Sequence, residues 1–175
     1  MTNWKIIGFF FAGTIFFLLL LQLQGRQLIT PASPYGILSL EFSCQSTHTQ
    51  AIAMAWKGSL RGAFHINMLL DFLLIPFYGL FLYSTCGYFS VHYQTGWPQR
   101  LGVLLAFGSL LAMIFDVAEN IVMGFSVHFF ATAFTSAVTT ALAAMKFLLA
   151  GLALVYIILS AAFMPFRRKK YPHSP

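Results

Sequence analysis

The chain has 175 residues, of which 59% are hydrophobic and 8% charged, with a net charge of +6 and a mean hydropathy of +0.79. A water-soluble domain of this length cannot hide that much apolar surface, so the composition indicates a polytopic membrane protein and leaves little room for a separate soluble domain. The positive charge is not a nucleic-acid signal, because Arg167, Arg168, Lys169 and Lys170 form a single block after the last apolar run, as stop-transfer and headgroup signals do.

A membrane span takes about 20 apolar residues, and the chain contains four such runs. The first, 6–23, follows Lys5. It is long for the apolar core of a signal peptide, and Leu23-Gln24-Gly25-Arg26 offers no small-residue cleavage site, so it reads as a retained helix. Residues 25–60 form the long connection. Ser33-Pro34 has the form of an N-cap with proline at the first helical position. Ile37, Leu38, Glu41, Phe42 and Gln45 then recur at helical spacing. Ser46 or Thr47 is placed to cap a second helix that runs to Lys57 and stops at Gly58. One continuous helix from Pro34 to Lys57 is the other possibility, and it would put Glu41, Gln45 and His48 on one face. Tyr35 and Trp56 suit an interfacial position. The expectation is amphipathic helical structure lying on or dipping into the membrane surface.

The second span, 63–83, opens after Arg61. It carries His65, Asn67 and Asp71 in its first half and Pro76 below them. Asn67 and Asp71 are four residues apart and share a face. A short aromatic and polar turn, 88–100, leads to the third span, 101–125. Near its far end lie Asp116, Glu119 and Asn120, at i, i+3 and i+4, which project from one side of a helix. The last span, 136–164, holds Lys146, the one basic residue inside a span. Its Ser136, Thr140 and Ala144 form a stripe of small residues suited to close packing. Cys44 and Cys86 are isolated, with no redox or zinc spacing. His92 and His128 fall at span ends and read as interfacial.

Lys5, Arg100 and the terminal basic block share one side of the membrane, against Arg26, Lys57 and Arg61 on the other. The excess predicts cytoplasmic termini. At 1.5 Å per residue, Asp116 stands about 24 Å past Arg100, and Asp71 about 15 Å past Arg61. Lys146 lies at similar depth. Spans running in different directions therefore deliver Asp71, Asp116, Glu119 and Lys146 to one layer in the outer half, with His65, Asn67 and Asn120 in or just above it. A charge at mid-membrane costs roughly 2.5 to 3.5 kcal/mol. Three span carboxylates against one ammonium leave an excess negative charge, which protons, Arg61, His65, a metal ion or a cationic ligand could balance.

Leu70-Asp71-Phe72 with Pro76-Phe77-Tyr78-Gly79, followed by Asp116-Val117-Ala118-Glu119-Asn120, resembles the LDFxxxPxYG and DxxEN motifs of a group of small, uncharacterised bacterial four-span inner-membrane proteins. The preceding Leu38-Ser39-Leu40-Glu41-Phe42 and Trp56 fit the same pattern. The resemblance implies a four-span inner-membrane fold and carries no activity with it.

The expected fold is thus an all-α membrane bundle of four transmembrane helices, with amphipathic helices between spans 1 and 2 over the outer mouth. The favoured function is a binding or accessory protein. Its acid-rich pocket of Asp71, Asp116, Glu119, Lys146, Asn67, Asn120 and His65, open to the outer face and with Glu41 and Arg61 as outer contributors, would take a proton, a cation, a cationic ligand or a partner subunit. The alternatives are an intramembrane hydrolase or transferase acting on a lipid-linked substrate, with one acid as general base, and an ion- or proton-coupled transporter. The transporter reading lacks an inverted repeat and acids in the inner half. No metal-ligating spacing is present, no cofactor is identified, and the expected partners are the bilayer and other membrane subunits or copies of the chain.

Overall fold

The computed structural model describes residues 4–93 and 96–168, with the side chains of the last helix as far as Phe163. Lys169 and Lys170 of the terminal basic block lie outside these. The helices are α1 (Trp4–Gly25), α2 (Ile37–Glu41), α3 (Ser46–Ala55), α4 (Ser59–His92), α5 (Trp97–His128) and α6 (Ala133–Arg168), with no strand among the described residues. Four of them, α1, α4, α5 and α6, are long and apolar enough to cross a membrane. The protein is an all-α, multi-pass, four-helix membrane protein.

Each span outruns its apolar run. α4 continues to His92 and α5 begins at Trp97, so the turn between spans 2 and 3 is much shorter than 88–100. Likewise α5 runs past residue 125, the expected end of the third span, to His128. At headgroup depth the helix remains the arrangement that satisfies every backbone N–H and C=O, whatever the side chains. Pro76 sits inside α4 without ending it.

The long helices pack in chain order, α1 on α4, α4 on α5 and α5 on α6, with a lesser contact between α4 and α6. Among the residues of α1 only Ile7 and Thr14 are buried. Its sequence is apolar all round, and Phe9, Phe16, Leu19 and Leu23 face outward, as lipid contact allows. Trp4 meets Tyr88 at a ring separation of 4.5 Å, and the Tyr156 hydroxyl donates to the Pro98 carbonyl at 3.1 Å. The start of α1, the α4–α5 turn and the end of α6 therefore share one end of the bundle, and α2 and α3 cover the other.

Two apolar cores result. One, near the termini, gathers Leu82, Cys86, Phe89, Leu105, Ala106, Ala153, Tyr156 and Ile157. The other, under the connection, gathers Leu28, Leu40, Ile52, Trp56, Ala63, Phe64 and Met123. On α4 and α5 the acidic positions fall between the two, so a polar layer is held between greasy ones.

The connection departs from the expected caps. Ser33 and Pro34 do not open a helix. The Ser33 hydroxyl donates to the Leu28 carbonyl at 2.7 Å, and the Thr30–Ser33 turn is closed by backbone hydrogen bonds. Helix α2 starts only after Gly36, whose φ of +59° suits glycine. Helix α3 is a separate helix ending at Ala55, and Gly58, at φ +75°, turns the chain into α4. Trp56 is not interfacial: it is 1% exposed, and its indole N–H donates to the Leu28 carbonyl at 3.0 Å and the Ser33 hydroxyl at 3.2 Å. Tyr35 is exposed. Two members of the small-residue stripe of α6 face this connection, Ser136 bonded to Thr49 at 2.9 Å and the Thr140 hydroxyl donating to the Glu41 carbonyl at 3.0 Å, while Ala144 is exposed.

Trp56→Phe keeps the apolar body and removes the donor, leaving the buried Leu28 carbonyl short of a partner. The expected cost is about 1–2 kcal/mol, read as a lower midpoint for thermal unfolding in detergent.

Candidate functional site

The site is built around one amine. Lys146 projects from α6, 5% exposed, among side chains of α5 and α2. Its Nζ donates to Asp116 Oδ1 at 2.7 Å. It lies 2.8 Å from Glu119 Oε2 and 3.7 Å from Glu41 Oε2. Asp116 and Glu119 are one helical turn apart, which lets both reach the same ammonium. The Asp116 bond is aligned, whereas the Glu119 contact is an ion pair by distance alone, without hydrogen-bond alignment. Asp116 is completed by the Tyr78 hydroxyl, which donates to Oδ2 at 2.7 Å.

Asp71 joins the layer through α5: Asn120 Nδ2 donates to its Oδ2 at 2.5 Å. The chain has four acidic residues, Glu41, Asp71, Asp116 and Glu119, and all four belong to this layer. Glu119 has no exposed surface, and its Oε1 finds no hydrogen-bond partner; Asn120 Oδ1 is likewise orphaned. Such groups are costly to bury. Glu41 comes from outside the spans, on the five-residue helix α2, and is 5% exposed. Burial pushes its carboxyl up to about 7; Lys146 pulls it down, while Asp71 and Asp116 add to the rise.

Several expected site residues lie elsewhere. Asn67 does not orient the acids, since its Nδ2 donates to Gln24 Oε1 on α1 at 2.7 Å, and Gln24 in turn donates to the Ala63 carbonyl at 2.6 Å. This pairing clips α1 to α4. His65 and Arg61 bond to His128 rather than to a carboxylate. His128 is thus part of a side-chain cluster, not an isolated interfacial residue. Tyr78 and Gln24 were missed. Tyr78 is seven residues from Asp71, two turns along the same face, and that spacing could have flagged it. Gln24 carries no comparable signal. Among the described residues no group of three or more His, Cys, Asp or Glu side chains is arranged to hold a metal ion.

Comparison with protein-family models, curated proteins and solved structures returns no match. The chemistry of the site therefore rests on its own residues. What they form is a dehydrated acid cluster around a single ammonium, rich in proton acceptors and short of positive charge.

Two outcomes follow. Lys146→Met removes the amine and leaves three carboxylates facing one another, so it should destabilise the fold by about 3–5 kcal/mol, measured as lost monodispersity and a lowered unfolding midpoint. The second concerns pH. A carboxyl whose folded-state pKa lies above its ordinary 4.5 binds its proton more tightly when folded, so its contribution is complete below about 4.5 and fades as pH rises through about 7. Thermal stability in detergent should fall between those values, and Glu41→Gln should flatten that part of the profile.

Proposed function

We propose that the protein is an integral-membrane binding or accessory component of a bacterial-type inner membrane. Its intramembrane acid cluster takes up a proton, a compact cation, or the cationic group of a ligand or partner subunit. The observation that carries this reading is the charge count. Three carboxylates approach one ammonium and a fourth, Asp71, bonds Asn120, in a layer with apolar side chains above and below. Full ionisation would leave three uncompensated negative charges at low dielectric, which the interior does not tolerate.

A purely architectural ion pair needs one acid per base. Here three acids approach the same lysine, and one of them, Glu119, keeps an oxygen without any donor. A proton or small cation supplies what is missing, and ionisable groups at such depth are functional by default. Cytoplasmic termini are part of the proposal, favoured by Lys5, Arg100 and the terminal basic block at one end against Arg26, Lys57 and Arg61 at the other. The likeness of the Leu70–Gly79 and Asp116–Asn120 motifs to bacterial four-span inner-membrane proteins favours the same membrane.

The test compares neutral variants. Glu119→Gln imitates a protonated acid and should leave the folded protein intact, while Asp116→Asn removes the negative charge aligned with Lys146 and lowers its stability. Infrared titration of the solubilised wild type should show protonation of a buried carboxyl on acidification, or its loss when a monovalent cation is added. That signal should be reduced in Glu119→Gln. A wild-type protein with neither signal, and with stability indifferent to pH and to cations, refutes the proposal.

A further inference from the structure

A second cluster lies at the end of the bundle covered by α2 and α3. Arg61 Nη2 is 2.6 Å from His128 Nδ1, and His128 Nε2 is 2.9 Å from His65 Nε2. The two imidazoles meet edge to edge through that bond, with centroids 4.8 Å apart and planes at 23°. His128 also leans on Phe64, which is buried against Trp56 at a ring separation of 5.6 Å, so the pair rests on the rigid core of that end. All three polar side chains are exposed.

The bonding has a direction. A guanidinium only donates, so His128 Nδ1 accepts. A neutral imidazole accepting at Nδ1 carries its proton on Nε2, and that proton goes to His65 Nε2. His65 then holds its own proton on Nδ1, facing away from the pair. The chain of bonds uses one of the five guanidinium N–H groups and leaves the others, with the His65 Nδ1–H, as outward donors. Arg61 also has no carboxylate partner among the described residues. Glu41, Asp116 and Glu119 surround Lys146, and Asp71 is held by Asn120. With four acids in the whole chain, none remains to neutralise it.

Depth identifies the missing anion. Helix α4 has 34 residues and α5 has 32. At 1.5 Å per residue these are about 51 and 48 Å long, more than the roughly 40–45 Å of a bilayer with its headgroups. Arg61 is near the start of α4 and His128 ends α5, so both stand at headgroup level. The anion found there is phosphate. We infer that Arg61, oriented by the His128–His65 pair, forms a binding site for a phosphate group, carried by an anionic lipid headgroup or by a soluble phosphate. The imidazole pair holds the guanidinium in one orientation, so its fork meets the phosphate oxygens with less ordering cost. The site is separate from the acid cluster and does not depend on its function.

The experiment uses the full chain in nanodiscs of phosphatidylcholine containing a minority of phosphatidylglycerol, with retained lipid counted by native mass spectrometry. Wild type should retain phosphatidylglycerol selectively. Arg61→Gln and the double variant His65→Gln/His128→Gln should each lower that retention roughly fivefold, the equivalent of one basic contact at a charged surface. Lys57→Gln, a nearby basic residue outside the cluster, should leave it unchanged. Arg61→Lys keeps the charge and guards against misfolding of the glutamine variant; it should also lose retention, because an ammonium lacks the planar fork that meets two phosphate oxygens while one arm stays on His128. A second arm adds inorganic phosphate to lipid-free detergent samples. A rise in unfolding midpoint that disappears in Arg61→Gln assigns the site to soluble phosphate, and a rise seen only with phosphatidylglycerol assigns it to lipid. Retention equal to wild type in Arg61→Lys and in the double histidine variant, with no phosphate-dependent shift, overturns the inference.

Discussion

The ammonium of Lys146 is the point on which the bundle depends. Among the described residues it is the cation paired with the acid layer, and it ties α6 to two other elements: α5 through Asp116 and Glu119, and α2 through Glu41. An ion pair at this depth is weak evidence of stability, because desolvating both partners offsets most of their attraction. Its effect is on uniqueness. Once one amine must serve several acids, the rotation of α5 about its axis, the height of α6 and the approach of α2 are all constrained together. Rotating α5 by a residue or two would strand Asp116 or Glu119 against lipid.

That constraint extends to the connection between the first two spans. Leu28, Leu40, Ile52 and Trp56 supply the apolar burial that holds the connection on the bundle, and Glu41 fixes where it meets α6. There α2 lies against α6, where the Thr140 hydroxyl meets the Glu41 carbonyl, and α3 is stitched beside it through Thr49 and Ser136. Ser136 and Thr140 of α6 make room for this approach. They serve a helix lying across the bundle end rather than a neighbouring span. Trp56 and Ser33 then close the layer by satisfying the Leu28 carbonyl, so the polar cluster is roofed by a compact unit with its own hydrogen bonds.

The sequence made the spans and the acid layer legible for two simple reasons. Apolar runs of span length have few alternatives, and helical geometry turns residue counts into depth. Asp116 and Glu119 could be put on one face by spacing, and Lys146 beside them by height. Rotation was less visible. Asn67 was placed with Asp71 because the two share a face, but the partner of Asn67 is Gln24, on a helix apolar on every side whose orientation no periodicity reveals. Trp56 was misread because an indole with an apolar body and one donor suits a headgroup boundary as well as a buried carbonyl. Only the tertiary position of Leu28 distinguishes them. Ser33-Pro34 has the residues of a helix start, but the Ser33 hydroxyl is used by Leu28, and the reversal at Gly36 moves the first helical turn downstream.

Gathering every acid into one layer has a consequence at the ends of the molecule. Ten lysines and arginines share four carboxylates, and those four lie inside the bundle around Lys146 or on Asn120. Among the described residues Arg61 is left without an acid to pair with, so the anion that balances it comes from its surroundings. Arg61 is where this imbalance becomes structural, since the side chains it meets are neutral imidazoles that orient its charge without cancelling it. Excess acid within and excess base at the surface thus follow from the same economy of carboxylates. The interior is left short of positive charge, and Arg61 at the rim is left short of an acid.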